Sequence, residues 1–159
     1  MNSIEAYFGA ERTGGLVFVL CGALAIGVSA WGWRHGAFWR GAAWPLVLIA
    51  LLQLGVGGMV WWRSPQDLER VRHVVTAEPS RLTSEEIPRM QRVVDDFVRN
   101  RWIEIALVVA GVLAVFFASP NTASQGAGAA LAIQSGVVLV LDSIAKHRAD
   151  DYLAWLRSL

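Results

Sequence analysis

Four long stretches of the chain are almost free of charged residues, and this feature limits the possible folds more than any other. They cover about residues 14–33, 42–62, 102–118 and 123–145. Each is close to the roughly 20 residues that a helix needs to cross a hydrocarbon core of about 30 Å. Inside lipid a segment must satisfy its own backbone hydrogen bonds, as a helix does. The pattern predicts an all-α, polytopic membrane four-helix bundle.

The composition agrees with this prediction and argues against other classes of protein. Of the 159 residues, 55% are hydrophobic and 17% are charged, whereas soluble domains carry about 25% charged residues. A soluble bundle would need a polar stripe on every helix, and the first two stretches have none. A net charge of +1 offers no basic surface for nucleic acid. We therefore expect residues 1–159 to form a single membrane domain whose partners include the lipid bilayer but no nucleic acid.

The positions of the basic residues predict how the helices are oriented. Of the 14 Lys and Arg residues, only Arg34 and Arg40 follow the first stretch and precede the second. The others lie in the N-terminal tail, in the segment 63–101 and in the C-terminal tail. By the positive-inside rule, both termini and the segment 63–101 are cytoplasmic. We expect a multi-pass protein of a bacterial inner membrane.

The charged segment 63–101 has the pattern of two helices. Ser64-Pro65-Gln66-Asp67 is typical of a helix start, Glu78-Pro79-Ser80 of a break, and Thr83-Ser84-Glu85-Glu86 of a second capping box. The segment either protrudes as a cytoplasmic helical hairpin between spans two and three or lies flat on the lipid headgroups. We favour the hairpin, whose second helix can run unbroken into the third span. Its apolar residues form what we term the hairpin stripe: Leu68, Val71, Val75, Met90, Val94 and Phe97.

Two amide side chains lie near the middle of the spans. Gln53 is in the second stretch and Gln134 in the fourth. Polar groups inside a membrane are costly and therefore informative. The two amides either hydrogen-bond each other across helices or line a polar cavity.

Two carboxyl groups lie inside the spans at similar depth on the cytoplasmic side. Glu104 is about one turn into the third stretch, and Asp142 is about one turn from the end of the fourth. Either they belong to a salt-bridge collar that fixes the helices, or they form a proton or cation site at a cytoplasmic mouth. Their expected basic partners are Arg12, Arg63, Arg101 and Lys146.

Small residues on the helices predict close helix packing. Gly55, Gly57 and Gly58, which we term the glycine face, make one side of the second span flat. Such a surface packs within the monomer or meets a second chain.

Several short pieces of the chain resemble small bacterial four-span membrane proteins. The pieces are Phe8-Gly9-Ala10-Glu11-Arg12, the run 57–65 (GGMVWWRSP), Glu86-Ile87-Pro88-Arg89-Met90, Trp102-Ile103-Glu104-Ile105-Ala106-Leu107, and Leu141-Asp142 followed by Arg148 and Tyr152. The resemblance covers most of the chain and implies no activity.

We expect the protein to bind a partner and not to act as an enzyme. Its one cysteine, Cys21, cannot form an internal disulfide, and its histidines lie outside the spans. No cofactor and no metal ion are therefore expected. The partner would be a second copy or another membrane protein, with this chain as an accessory subunit or a toxin-immunity protein. The hairpin stripe and the glycine face would supply the contacts.

The alternative is a homo-oligomeric ion channel or proton-linked carrier. In that case Gln53 and Gln134 would line the pathway. Glu104 and Asp142 would form its acidic cytoplasmic mouth.

Overall fold

The computed structural model describes residues 2–77 and 79–159, and all regular structure within them is helical. The elements are α1 (Asn2–Gly32), α2 (Gly36–Ala77), α3 (Pro79–Arg81), a π-helical segment (Leu82–Glu86), α4 (Ile87–Phe117) and α5 (Ala123–Leu156). Four helices are long and apolar enough, by length and composition, to cross a membrane. This agrees with the predicted all-α plan of four spans and indicates a multi-pass membrane protein.

Each long helix extends beyond its apolar stretch. The longest, α2, has 42 residues, which at 1.5 Å per residue is about 63 Å, or twice the thickness of a hydrocarbon core. We therefore divide the bundle into an apolar half, formed by residues 14–33, 42–62, 102–118 and 123–145, and a charged half. The charged half consists of the described residues before, between and after those stretches on the side of both termini.

The predicted helix start at Ser64 is wrong, because α2 continues through Pro65 without a break. The Ser64 hydroxyl does not cap a helix; it donates a hydrogen bond to the Val60 carbonyl, at 2.7 Å. A hydroxyl that bonds one turn back in this way is compatible with a continuous helix. The motif has the composition of a cap, but the helix continues on both sides of Pro65.

The chain reverses direction between α2 and α4. The predicted break falls partly on Glu78, which lies outside the described residues. The predicted capping box at Thr83–Glu86 is wrong, because α4 begins without a side-chain cap. The hydroxyls of Thr83 and Ser84 bond the Ser80 carbonyl instead. Pro88 lies in the first turn of α4, and this helix runs unbroken to Phe117, as expected.

The helices pack as two hairpins. α1 packs along α2, α4 packs along α5, and α2 joins the pairs by packing along α5. The turn between α4 and α5 is held by Asn121 in a left-handed conformation and by Thr122, whose hydroxyl accepts from the Gln125 backbone N–H at 3.3 Å. Both hairpin turns therefore lie at the end of the molecule opposite the charged half.

The hydrophobic core lies in the charged half. Three hairpin-stripe residues, Val71, Met90 and Val94, belong to it, and Leu68, Val75 and Phe97 pack against it. The ends of α1 and α5 complete the core with Ile4, Phe8, Ala149, Tyr152, Leu153 and Leu156. These residues recur at helical spacing, so the tails present apolar faces to the segment 63–101. This contribution of the two tails was not among the predictions from sequence.

In the apolar half, small residues form the closest contacts between helices. A methyl group added at Gly126 would overlap the Phe38 carbonyl, and one added at Gly41 would overlap Ala123. On the α1–α2 side, a methyl group at Gly57 would lie 2.6 Å from the Gly15 carbonyl oxygen. The backbones therefore approach so closely that only glycine fits, as is common between membrane helices.

Candidate functional site

The two carboxyl groups of the apolar half face each other across α4 and α5. Glu104 is only 7% exposed, and the Asp142 carboxyl lies within hydrogen-bonding reach of it. An ionised carboxylate can only accept hydrogen bonds. Two ionised carboxylates this close would repel each other, and Glu104 Oε2 is buried with no hydrogen-bond partner among the described residues.

Three of the four basic residues expected around this pair have other partners. Arg63 is 3.8 Å from Glu11 and 3.7 Å from Asp67, and Lys146 bonds Asp150 at 2.6 Å. Arg12 lies over the Trp61 ring, 5.1 Å from its centroid. Of the four, Arg101 acts electrostatically on Glu104. The nearest acids on the same or the adjacent helix compete for Arg63 and Lys146, so these bases form a separate layer in the charged half.

The two mid-span amides are in direct contact. Gln134 donates from Nε2 to Gln53 Oε1 at 2.6 Å, and both side chains are buried. This is the interhelical contact that the sequence analysis gave as one of two alternatives. The amide nitrogen of Gln53 and the nearby hydroxyl of Ser135 have no partner among the described residues.

Cavities border both polar pairs. One of about 250 Å³ is lined by Gln53, Glu104 and Ser135, among others. A second, of about 430 Å³ and almost entirely apolar, reaches Gln134 from the other side. The amide pair and Glu104 are therefore bordered by grooves that open to the outside of the bundle.

The glycine face divides into two parts. Gly57 is buried against α1, whereas Gly55 and Gly58 have no atom within 4 Å of an added methyl group. The two outward-facing glycines leave a shallow notch on α2. The hairpin stripe, by contrast, faces inward, and Val71 and Met90 are fully buried in this conformation.

One buried charge was missed by the sequence analysis. Glu86, at the end of the π-helical segment, is 1% exposed and bonds Arg89 at 2.6 Å and Arg70 at 3.1 Å. From the sequence, Glu86 was interpreted as part of a helix capping box. The available signal was its spacing of three residues from Arg89, which places the two side chains together on a helix.

Two tyrosines close the core beside this charge cluster. The Tyr7 and Tyr152 rings stack with centroids 4.2 Å apart, and joining the two tails in this way fixes α1 to α5. Burial raises the pKa of both phenols. They therefore stay neutral across the physiological range, where the core requires uncharged groups.

Within residues 2–77 and 79–159, no three His, Cys, Asp or Glu side chains are grouped closely enough to hold a metal ion. Comparisons with protein families, with curated proteins and with solved structures find no match to this chain. A function for this protein must therefore be argued from its own residues.

Proposed function

We propose that this chain is a non-enzymatic membrane protein that acts by binding another membrane protein, as an accessory subunit or as an immunity-type protein that blocks a toxin. The support is the notch at Gly55 and Gly58, which no part of the described chain fills. Glycine within a helix is destabilising by roughly 0.5–1 kcal/mol relative to alanine. Two glycines three residues apart on one helix face offset this cost at a helix interface, because they let a partner backbone approach closely.

The surroundings of the notch have the shape of a helix-docking surface. Large apolar side chains lie above and below it on the same side of α2. They are Leu48, Leu51, Leu52, Met59 and Trp62, all exposed. Together with Gly55 and Gly58, these side chains follow intervals of three and four residues and so lie on one face of α2. A partner helix can pack between the large side chains and approach the backbone at the glycines.

We also propose that the protein lies in a bacterial inner membrane, with both termini and the segment 63–101 in the cytoplasm. In this arrangement 63–101 is a cytoplasmic helical hairpin whose stripe packs against the two tails. Cysteine labelling tests it in a Cys21→Ser background. An impermeant maleimide should label His35→Cys in intact cells but Ser80→Cys only after lysis. Labelling of position 80 from outside would contradict the orientation.

Site-specific photo-crosslinking tests the binding surface. A photoreactive amino acid at Leu51 or Met59, beside the notch, should give a discrete adduct in native membranes. The same group at Val109, which is exposed on α4, should not. Adduct mass separates a second copy of this chain from a different protein.

The matched variants are Gly58→Leu and Gly27→Leu. Both glycines have open space around them, but only Gly58 lies in the notch. Gly58→Leu should remove the adduct and Gly27→Leu should retain it. Equal adducts from all three crosslinking positions, or an adduct that survives Gly58→Leu, would exclude the proposed surface.

A second candidate is a homo-oligomeric ion channel or proton-linked carrier. The observation in its favour is the carboxyl pair Glu104–Asp142, which holds charge inside an otherwise apolar half and adjoins a cavity. Proteoliposomes loaded with a pH-sensitive dye test it. Glu104→Gln with Asp142→Asn should abolish a proton flux, while Asp150→Asn should preserve it. The absence of flux from correctly folded wild-type protein would reject this candidate.

A further inference from the structure

A cavity lies where the apolar half meets the charged half, between α1, α2 and α5. We term it the junction cavity. Its volume is about 270 Å³, and its walls are mainly apolar side chains: Val17, Phe18, Val56, Val60, Leu141 and Ile144. Gly14, Gly15 and Gly57 also line it, and the close contact of Gly15 with Gly57 joins α1 to α2 at its edge. The cavity is large enough for a small headgroup and the beginning of an acyl chain.

Two opposite charges line the end of the junction cavity that faces the charged half. Glu11 lies on α1, three residues before the first apolar stretch, and Arg148 lies on α5, three residues after the last. Their places along the two helices put both at the level where an apolar helix passes from hydrocarbon into the headgroup layer.

The Glu11 carboxylate is only partly satisfied. Oε1 is 3.8 Å from Arg63, a long ion pair, and Oε2 is buried with no hydrogen-bond partner. The Ser64 hydroxyl lies beside the carboxylate but donates its proton to the Val60 carbonyl. Burial also raises the pKa of Glu11, which indicates that its charge is poorly solvated. A buried carboxylate oxygen without a donor is costly, and a cationic N–H group would relieve that cost.

The Arg148 guanidinium is held against the backbone of α1. Nη1 donates to the Ala10 carbonyl at 2.6 Å, and Nε donates to the Ile144 carbonyl at 3.3 Å. Nη2 lies over Gly14, 3.3 Å from the position that a side chain there would take. These bonds fix the group while Nη2 remains beside the cavity, a geometry that suits a phosphate oxygen.

We propose that the junction cavity binds a phospholipid with a primary ammonium headgroup, its ammonium on Glu11, its phosphate on Arg148 and one acyl chain along the apolar wall. A zwitterion matches the two fixed charges, which neither an anionic lipid nor a simple cation does. Asp142 also lines the cavity and, as part of the carboxyl pair, disfavours an additional anion. The proposal is independent of whether the protein binds a partner or moves protons.

Lipids that differ only in the headgroup test the proposed binding site on the wild-type protein. Purified protein in nonionic detergent is titrated with lipids of identical acyl chains whose ammonium carries zero, one, two or three methyl groups, and bound lipid is counted by native mass spectrometry. Because the trimethylated group has no N–H to donate, affinity should fall along the series by about tenfold in total. A glycerol headgroup, anionic and without nitrogen, should bind no better than the trimethylated lipid. Equal affinity across the series would overturn the proposal.

Variants locate the site. Glu11→Gln should remove the difference between the primary and the trimethylated ammonium, and Arg148→Gln should weaken both lipids alike. Glu5→Gln is the control, because it removes a carboxylate from the exposed side of the same helix, where Glu5 pairs with Arg72. Val17→Phe narrows the cavity without altering a charge and should reduce the binding of every lipid tested. A preference that survives Glu11→Gln, or binding unaffected by Val17→Phe, would place the lipid elsewhere.

Discussion

The two halves of the bundle bury opposite kinds of side chain, although the same four long helices pass through both. In the charged half the core consists of residues such as Met90, Leu153 and Phe8. In the apolar half the described residues bury only alanines among their hydrophobic side chains, together with glycines, Ser29, Ser135, Glu104 and the two amides. Among the described large hydrophobic residues that are exposed, all but Val98 and Leu159 lie in the apolar half.

This difference shows that the two halves are stabilised by different forces. The charged half buries apolar area, as a water-soluble bundle does. In the apolar half, moving a leucine from lipid to a helix interface gains little, because lipid tails are as apolar as leucine. Close backbone approach and interhelical hydrogen bonds stabilise it instead, and the large side chains face outward. Matched substitutions in the two halves should therefore have different effects.

The largest effect is expected from adding one methyl group at a helix crossing. Gly126→Ala would force α5 away from the Phe38 carbonyl, and we expect a loss of about 3 kcal/mol or more in the free energy of unfolding. Gly136→Ala on the same helix meets no atom within 4 Å, so it should leave stability unchanged or raise it by up to about 1 kcal/mol. Urea unfolding in detergent measures both. Similar behaviour of the two variants would refute tight packing in the apolar half.

Two methionines allow the most direct comparison of the halves. Met90 is 0% exposed in the charged half, and Met59 is 64% exposed in the apolar half. Met90→Ala should cost about 3 kcal/mol because it leaves a cavity, whereas Met59→Ala should cost less than about 1 kcal/mol. The same unfolding assay compares them. Equal losses would mean that the apolar half also depends on its large side chains.

Breaking the buried charge cluster should have an intermediate effect. Glu86→Gln leaves Arg89 and Arg70 without their shared carboxylate, and we expect a loss of about 2 kcal/mol, reduced because both arginines are partly exposed. The control is the neighbouring Glu85→Gln, whose partner Arg81 lies at the surface. It should not shift the unfolding midpoint. A midpoint unchanged in Glu86→Gln would show that the cluster does not stabilise the charged half.

The smallest effect is expected for the amide pair. A double-mutant cycle with Gln53→Ala and Gln134→Ala should give a coupling of about 1 kcal/mol, which is typical of hydrogen bonds between membrane helices. Zero coupling would mean that each amide is equally well satisfied without the other, as in a hydrated cavity.

Some of this architecture can be predicted from sequence because its causes are local. The apolar stretches indicate four long helices, and isolated polar residues such as Gln53 and Gln134 draw attention because lipid makes them costly. The continuity of α2 through Pro65 could not be predicted, because a cap motif and a mid-helix proline have the same local composition. Nor could the pairing of Tyr7 with Tyr152, because these residues lie almost a whole chain apart and meet only after the bundle forms.

The unbroken course of α2 has a mechanical consequence. One helix of 42 residues links Trp44 and Leu48 in the apolar half to Val71 and Val74 in the core of the charged half. A tilt of about 5° around its middle would displace either end by roughly 3 Å, given its length of about 63 Å. A displacement of one end of α2 would therefore move the other end as well, because no loop separates them.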